Sequence, residues 1–260
     1  MNRQEMISQV RSSLSEGKPS VGSWIQIPHA SIAEIMGQAG YDWIAVDLEH
    51  GSISPHQLPD LFRAIELGSC LPLARVALGT TKDCKQALDA GAGGIIIPMV
   101  SSARQLELVI ESICWPPTGK RGVGFSRANL FGEHFSDYLK EAQSPIIVAQ
   151  IEHIDAVNNL KQILNVDGVD AFIIGPYDLS CSMGIPGEFE NPKFIQTIDK
   201  IILIANEVGV TSGLHVVEPN TIELNNAIAV GHKFIAYSVD IRMLDVAARN
   251  GIKEFRKVKS

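Results

Sequence analysis

Three short segments of this sequence carry the residue types that proton transfer and metal binding require. Asp47-Leu48-Glu49-His50 sets two carboxylates beside an imidazole, the side chain that titrates nearest neutrality and so the natural general base. Glu152 ends Ala149-Gln150-Ile151-Glu152, and Asp178 lies in Gly175-Pro176-Tyr177-Asp178. Two carboxylates without nearby cysteine or paired histidine suit a hard divalent ion such as Mg2+ or Mn2+, with water and substrate oxygens completing its shell. The competing reading is that they cap helices or pair with arginines. Arg75 emerges from an apolar run and needs an anion: Asp47, Glu49, a substrate carboxylate or a developing enolate. Later in the chain His215 ends another apolar run, and Asp240 follows the last one.

Those apolar runs set the framework. Eight are strand-like: Val21–Ile27, Trp43–Val46, Leu71–Val76, Gly94–Pro98, Ile146–Ile151, Ala171–Ile174, Val210–Val216 and Phe234–Val239. Most are too continuously apolar to face water on one side, as in a parallel sheet covered on both faces. Helical spacing separates them, in Ile32/Ile35/Met36/Ala39, Leu58/Leu61/Phe62/Ile65, Leu106/Val109/Ile110/Ile113 and Val157/Leu160/Leu164. Gly40, Gly91, Gly168, Gly209 and Gly231 fall where helix C-caps belong, and Thr80/Thr81 and Ser101/Ser102 where N-caps belong. Eight β/α alternations over about 250 residues predict a single α/β domain, residues 1–260, folded as a (β/α)8 TIM barrel. A doubly wound open sheet ranks second, because no G-x-G-x-x-G follows the first strand. In a barrel every residue named above would gather on the rim formed by the strands' C-terminal ends. Two long connections, Cys114–Gln143 and Ser180–Pro192, have the length of functional loops.

Composition removes several classes of function. The 260 residues are 45% hydrophobic and 20% charged, with net charge -7. A mean hydropathy of +0.12 and a pI near 5.5 accompany them. Disorder and nucleic-acid binding do not fit, since no basic patch is visible. No apolar stretch approaches the ~20 residues of a membrane span, and the polar start is unlike a secretory signal. Four dispersed cysteines (Cys70, Cys84, Cys114, Cys181) fit reduced thiols and a cytoplasmic location. No strand candidate carries a lysine in its body for Schiff-base chemistry, and Lys233 begins the eighth strand at the wrong end.

The chain resembles the HpcH/HpaI family of metal-dependent (class II) pyruvate aldolases, the 2-keto-3-deoxy acid aldolases. The matching segments are Ala39–Trp43 with Asp47–His50, the Arg75 strand, Gln86–Ala92, Ile97–Val100, Trp115–Gly124, Gln150–Glu152 and Gly175–Ser180. The resemblance implies a barrel with its C-terminal helix exchanged between subunits, and a homohexamer built as a trimer of dimers. It implies a metal held by Glu152 and Asp178: Mg2+ or Mn2+, with Co2+ an alternative. It implies a catalytic set of His50 for proton transfer, Asp47 nearby, Asp89 as the supporting acid of the histidine, and Arg75 on the enolate oxygen. Gln150, Gly175, Pro176, Tyr177, Trp24 and His215 are the expected substrate-binding residues. The reaction implied is reversible cleavage of a 2-keto-4-hydroxy acid into pyruvate and an aldehyde, with no nucleic-acid or membrane partner. Tyr177, Cys181 and His215 depart from the family pattern and bear on the choice of aldehyde. A citryl- or malyl-CoA-type lyase is the alternative activity, and a catalytically silent barrel the alternative class.

Overall fold

The computed structural model describes residues 1–259. Eight parallel strands close on themselves in sequence order: β1 (Ser20–Ile25), β2 (Trp43–Asp47), β3 (Leu71–Arg75), β4 (Gly94–Ile97), β5 (Ile146–Ile151), β6 (Ala171–Ile174), β7 (Thr211–Val216) and β8 (Phe234–Val239). Helices between them complete a (β/α)8 barrel. Four strand ends are shorter than the apolar runs suggest: β3 stops at Arg75, one residue before Val76, and the other three have a backbone reason. The amides of Gln26 and Ile27 donate to the Asp240 carboxylate instead of a neighbouring strand. Pro98 has no amide to donate. The Val210 amide finishes the preceding helix by donating to Ala205.

Alternation along each strand sorts the side chains into two cores. Ile44 and Val46 of β2, Ile147, Ala149 and Ile151 of β5, and Phe172 and Ile174 of β6 pack outward beneath the helices. Trp43, Ala45, Leu71, Leu73, Ile96, Ile146, Val148, Ile173 and Phe234 fill the interior. There Trp43 stacks on Phe234 with ring centroids 4.3 Å apart and meets Trp24 edge-on. A Cβ on Gly22 would fall 2.1 Å from the Trp43 ring, so only glycine admits this indole. The N-terminal helix Arg3–Ser15, held by an Asn2–Glu5 capping box, lays Met6, Ile7, Val10 and Leu14 against the same interior cluster. It closes the barrel's N-terminal end.

The expected caps are present at Thr80 and Ser102, and Gly91 and Gly209 end helices at φ 108° and 79°. The periodicity over Val157–Leu164 resolves into two short helices, Ile154–Asn158 and Leu160–Leu164, parted at Asn159, whose amide side chain reaches the Ser101 carbonyl. Ile35, read as part of a core face, is 64% exposed. The connection after β4 contains the helix Phe135–Gln143, and the one after β6 begins as the helix Pro176–Ser182. Among the described residues, no helix is long and apolar enough to cross a membrane.

His232 gives the fold a pH dependence. Its ring is buried beside the Ser212 hydroxyl, and loss of hydration pushes its pKa down to about 4. An unfolded histidine titrates near 6.5, so between those values the unfolded chain binds the extra proton and stability falls as pH drops. His232 alone should account for a loss on the order of 3 kcal/mol from pH 7 to pH 4. Urea unfolding of wild type and His232→Asn across this range should show a shallower decline in the variant, and parallel curves would contradict this.

Candidate active site

The inward positions that are apolar deep in the barrel become polar at its C-terminal rim. On β2 the sequence Trp43, Ala45, Asp47 runs from floor to rim; on β3 it is Leu71, Leu73, Arg75; on β5 it is Ile146, Val148, Gln150, with Glu152 beyond. Register places Asp47 directly opposite Arg75. Arg75 forks onto it, Nε to Oδ1 at 2.9 Å and Nη2 to Oδ2 at 2.6 Å. Asp47, fully buried, also accepts from Gln26 Nε2 and from the amides of Glu49 and His50. Burial works against its negative charge, but the Arg75 fork outweighs burial and holds its pKa below the ordinary carboxylate value. Every lone-pair direction of Asp47 is thus occupied. It positions Arg75 and the His50 loop and has no capacity left to exchange a proton.

The third arginine nitrogen, Nη1, faces Gln150 Oε1 at 3.4 Å, and the guanidinium lies 4.5 Å from the Trp24 ring centroid. Gln150 passes the connection on, donating from Nε2 to Glu152 Oε2 at 2.5 Å. Glu152 Oε1 accepts from the Met99 amide at 2.6 Å, drawn in by a left-handed turn at Met99. A Cβ at residue 175 would come 2.8 Å from Glu152 Oε2, so glycine there keeps the carboxylate's flank open. Asp178 stands in the first turn of the helix Pro176–Ser182, exposed and lining a cavity together with Arg75 and Gln150. Tyr177 is half exposed, with its ring edge-on to Phe189 of the following segment.

Glu49 belongs to the site although its segment first drew attention for His50. Its Oε2 is buried without a hydrogen-bond partner, 3.4 Å from Arg75 Nε and 3.8 Å from His50 Nε2. Burial, with Glu152, Asp47 and Asp178 nearby and only Arg75 opposing, pushes its pKa up to about 7. Four carboxylates around one guanidinium leave an excess of negative charge, which fits a divalent cation between Glu152 and Asp178. Among the described residues no group of three or more His, Cys, Asp or Glu side chains forms a complete cage, so such a cation would depend on water and substrate for its remaining ligands.

The structure redirects two residues. Asp89, expected to support His50, lies at the end of the helix Thr81–Ala90 that runs from rim to floor, and its carboxylate pairs with Arg121 at 2.6 Å. Within the chain it therefore sits at the other end of the barrel from His50. Asp240 binds the amides of Gln26, Ile27 and Ile241, stapling the end of β1 to the start of the C-terminal helix. His50 itself is largely exposed at the mouth. The remaining expected residues, Trp24, Arg75, Gln150, Gly175, Pro176, Tyr177, Asp178 and His215, line one cavity of about 220 Å³ with Gln26 and Val217. A larger cavity, about 440 Å³, lies under the N-terminal helix, where Arg3, Glu66, Arg127 and Glu141 already pair with one another.

The chain is similar along most of its length to characterised proteins. It is 37% identical over 238 residues to the hydroxypyruvate/pyruvate aldolase of Roseobacter denitrificans, covering 90% of this chain and 91% of that one. It is 34% identical over 253 residues to the 2-keto-3-deoxy-L-rhamnonate aldolase of Salmonella gallinarum, covering 95% and 92%. The crystal structure of a HpcH/HpaI aldolase/citrate lyase family protein from Burkholderia cenocepacia superposes with a TM-score of 0.89 at 28% identity, covering 95% of this chain and 99% of that one. The sequence profile of the HpcH/HpaI aldolase/citrate lyase family matches residues 20–246, which span all eight strands and every rim residue described above. The chain belongs to that family, and it is a carbon–carbon lyase.

Proposed function

We propose that the protein is a divalent-metal-dependent aldolase that reversibly cleaves a 2-keto-4-hydroxy acid into pyruvate, or a pyruvate-like keto acid, and an aldehyde. The observation that carries this reading is the Arg75 fork lining a small cavity with Gln150 and Asp178, with Glu152 buried just behind Gln150 and accepting from its side-chain amide. Cleavage of such an acid leaves an enolate on the keto acid fragment, and a fixed cation beside that oxygen lowers the barrier. Arg75 Nη1, the nitrogen that Asp47 leaves free, donates to the keto oxygen. Gln150 holds Arg75 and Glu152 in register. The backbone of Gly175–Tyr177 lines the same cavity, where the resemblance places the pyruvyl group. His50 moves the proton at the mouth, and Glu49, with its pKa near 7, can relay it. Glu152 and Asp178 would hold the metal, whose contribution when bound is Lewis-acid polarisation of the keto group.

A cavity of about 220 Å³ falls below the ~300–1,000 Å³ of pockets for larger ligands, which favours a compact keto acid over an acyl-CoA. Pyruvate release from a panel of 2-keto-4-hydroxy acids, with Mg2+, Mn2+ or Co2+ added, tests the reading. Release from none of them, with turnover of citryl- or malyl-CoA, would transfer the protein to the acyl-CoA branch.

The C-terminal helix Asp240–Lys259 leads from β8 and packs against β1 and β8, with Leu244, Ile252 and Phe255 more than half exposed. Such a face suits exchange between subunits of a homohexamer. Removing the residues after Asp240 should therefore yield a smaller, inactive species by light scattering. An active monomer after that truncation would rule the exchange out.

A further inference from the structure

His215, which the resemblance places among the substrate-binding residues, lines the cavity without a chemical part in the aldolase reading above. It is the inward residue at the rim end of β7, its ring meeting Trp24 edge-on with centroids 5.7 Å apart. One ring contact is fixed by the backbone of Ser238, in a hydrogen bond that favours the protonated ring, as a carbonyl acceptor does. Ser238 can offer that carbonyl because β8 is bulged there. Its φ is +54°, and the pairing of β1 with β8 slips by one residue between Gly22 and Trp24. The Ser23 and Ser238 hydroxyls brace the bulge against the carbonyls of Tyr237 and Val217.

The other nitrogen, Nε2, is buried and has no hydrogen-bond partner. A buried polar atom left alone costs stability, so its retention beside a substrate cavity points to a partner arriving with the substrate. Loss of hydration and the nearby Arg75 cation keep the ring neutral, with a pKa pushed down to about 4. With the proton on the nitrogen that faces Ser238, Nε2 presents a lone pair and not a donor.

We propose that His215 Nε2 accepts a hydrogen bond from a hydroxyl group of the substrate, making the pocket selective for a hydroxylated keto acid or a 2-hydroxyaldehyde. This rests on the aldolase reading above and adds to it the chemical class of the substrate. A lone pair at this point welcomes a hydroxyl donor and repels a second carboxylate, so dicarboxylic keto acids such as oxaloacetate gain nothing from His215.

The test measures a preference instead of a rate. In one arm, hydroxypyruvate and pyruvate compete as nucleophiles toward propionaldehyde; in the other, glycolaldehyde and acetaldehyde compete as acceptors of pyruvate. His215→Phe keeps an aromatic ring against Trp24 but has no acceptor, and His215→Gln restores an acceptor. The hydroxyl preference in kcat/KM should fall by about tenfold or more in His215→Phe, in whichever arm supplies the hydroxyl, and should recover partly in His215→Gln. Titration calorimetry of the same pairs reads the preference without turnover. If wild type turns over no pair, the aldolase reading fails and calorimetry alone decides the role of His215. An unchanged preference in folded His215→Phe overturns the proposal, and so does a selective loss of oxaloacetate binding, which would place the proton on Nε2.

Discussion

Glu152→Ala and Asp178→Ala should each abolish aldol cleavage, with residual turnover at least ~1,000-fold below wild type, the scale on which a lost charge-stabilising group acts in acyl transfer. The two variants should differ in stability. Asp178 is exposed at the head of a helix, so its loss removes a carboxylate from a first turn and costs at most about 1 kcal/mol. Glu152 is buried and accepts from Met99 and Gln150, so its loss orphans two donors as well as creating a void. Glu152→Gln is the sharper variant, because it preserves the volume while removing the charge. EDTA should silence the wild type, and added Mg2+ or Mn2+ should restore it. Full turnover in chelator, with borohydride trapping a pyruvate adduct, would establish Schiff-base chemistry instead.

Arg75→Ala should lower both cleavage and the exchange of pyruvate methyl protons by ~100-fold or more, because an oxyanion donor acts in the step that both reactions share. The structure adds a complication. Asp47 is fully buried, and without the guanidinium its charge would have only Gln26 and two amides. Breaking such a pair by removing one partner costs on the order of 3–5 kcal/mol, so Arg75→Ala should also melt early. Arg75→Lys retains a charge for Asp47 but cannot form the fork and reach the substrate together, so it should recover stability and little activity. Deuterium exchange into pyruvate without aldehyde, measured well below the melting transition, separates the two effects. Wild-type exchange in folded Arg75→Lys would leave the arginine as a pure partner of Asp47.

Much of this site was legible because a barrel converts parity into place. Once Trp43 and Ala45 face inward, Asp47 must too, and Leu71, Leu73 and Arg75 obey the same count. Roles were less legible than positions. Asp47 reads as a reactive acid until its hydrogen bonds are counted, and Asp89 lies within its own chain at the floor end of a helix, paired with Arg121, a placement that spacing alone does not give. Asp240 sits at a strand end like the others, yet three amides claim it. The bulge at Ser238 left no trace in composition or spacing, because a left-handed serine within an apolar strand has no sequence signature. Glu49 is legible in the sequence as a neighbour of His50 and a candidate partner of Arg75, but the burial that raises its pKa leaves no mark in spacing.

The helix that closes the barrel floor also governs traffic. With Met6, Ile7, Val10 and Leu14 corking one end and the Trp43–Phe234 stack above them, the described residues pack the floor and leave the cavity lined by Arg75 and Asp178 at the rim. A chamber with a single doorway is filled and emptied in order. Under the proposed cleavage, the fragment lodged against Trp24 and Arg75 would go in first and come out last, and the one nearer His50 and Tyr177 would leave before it. The deeper product would then inhibit by occupying the seat that the next substrate needs.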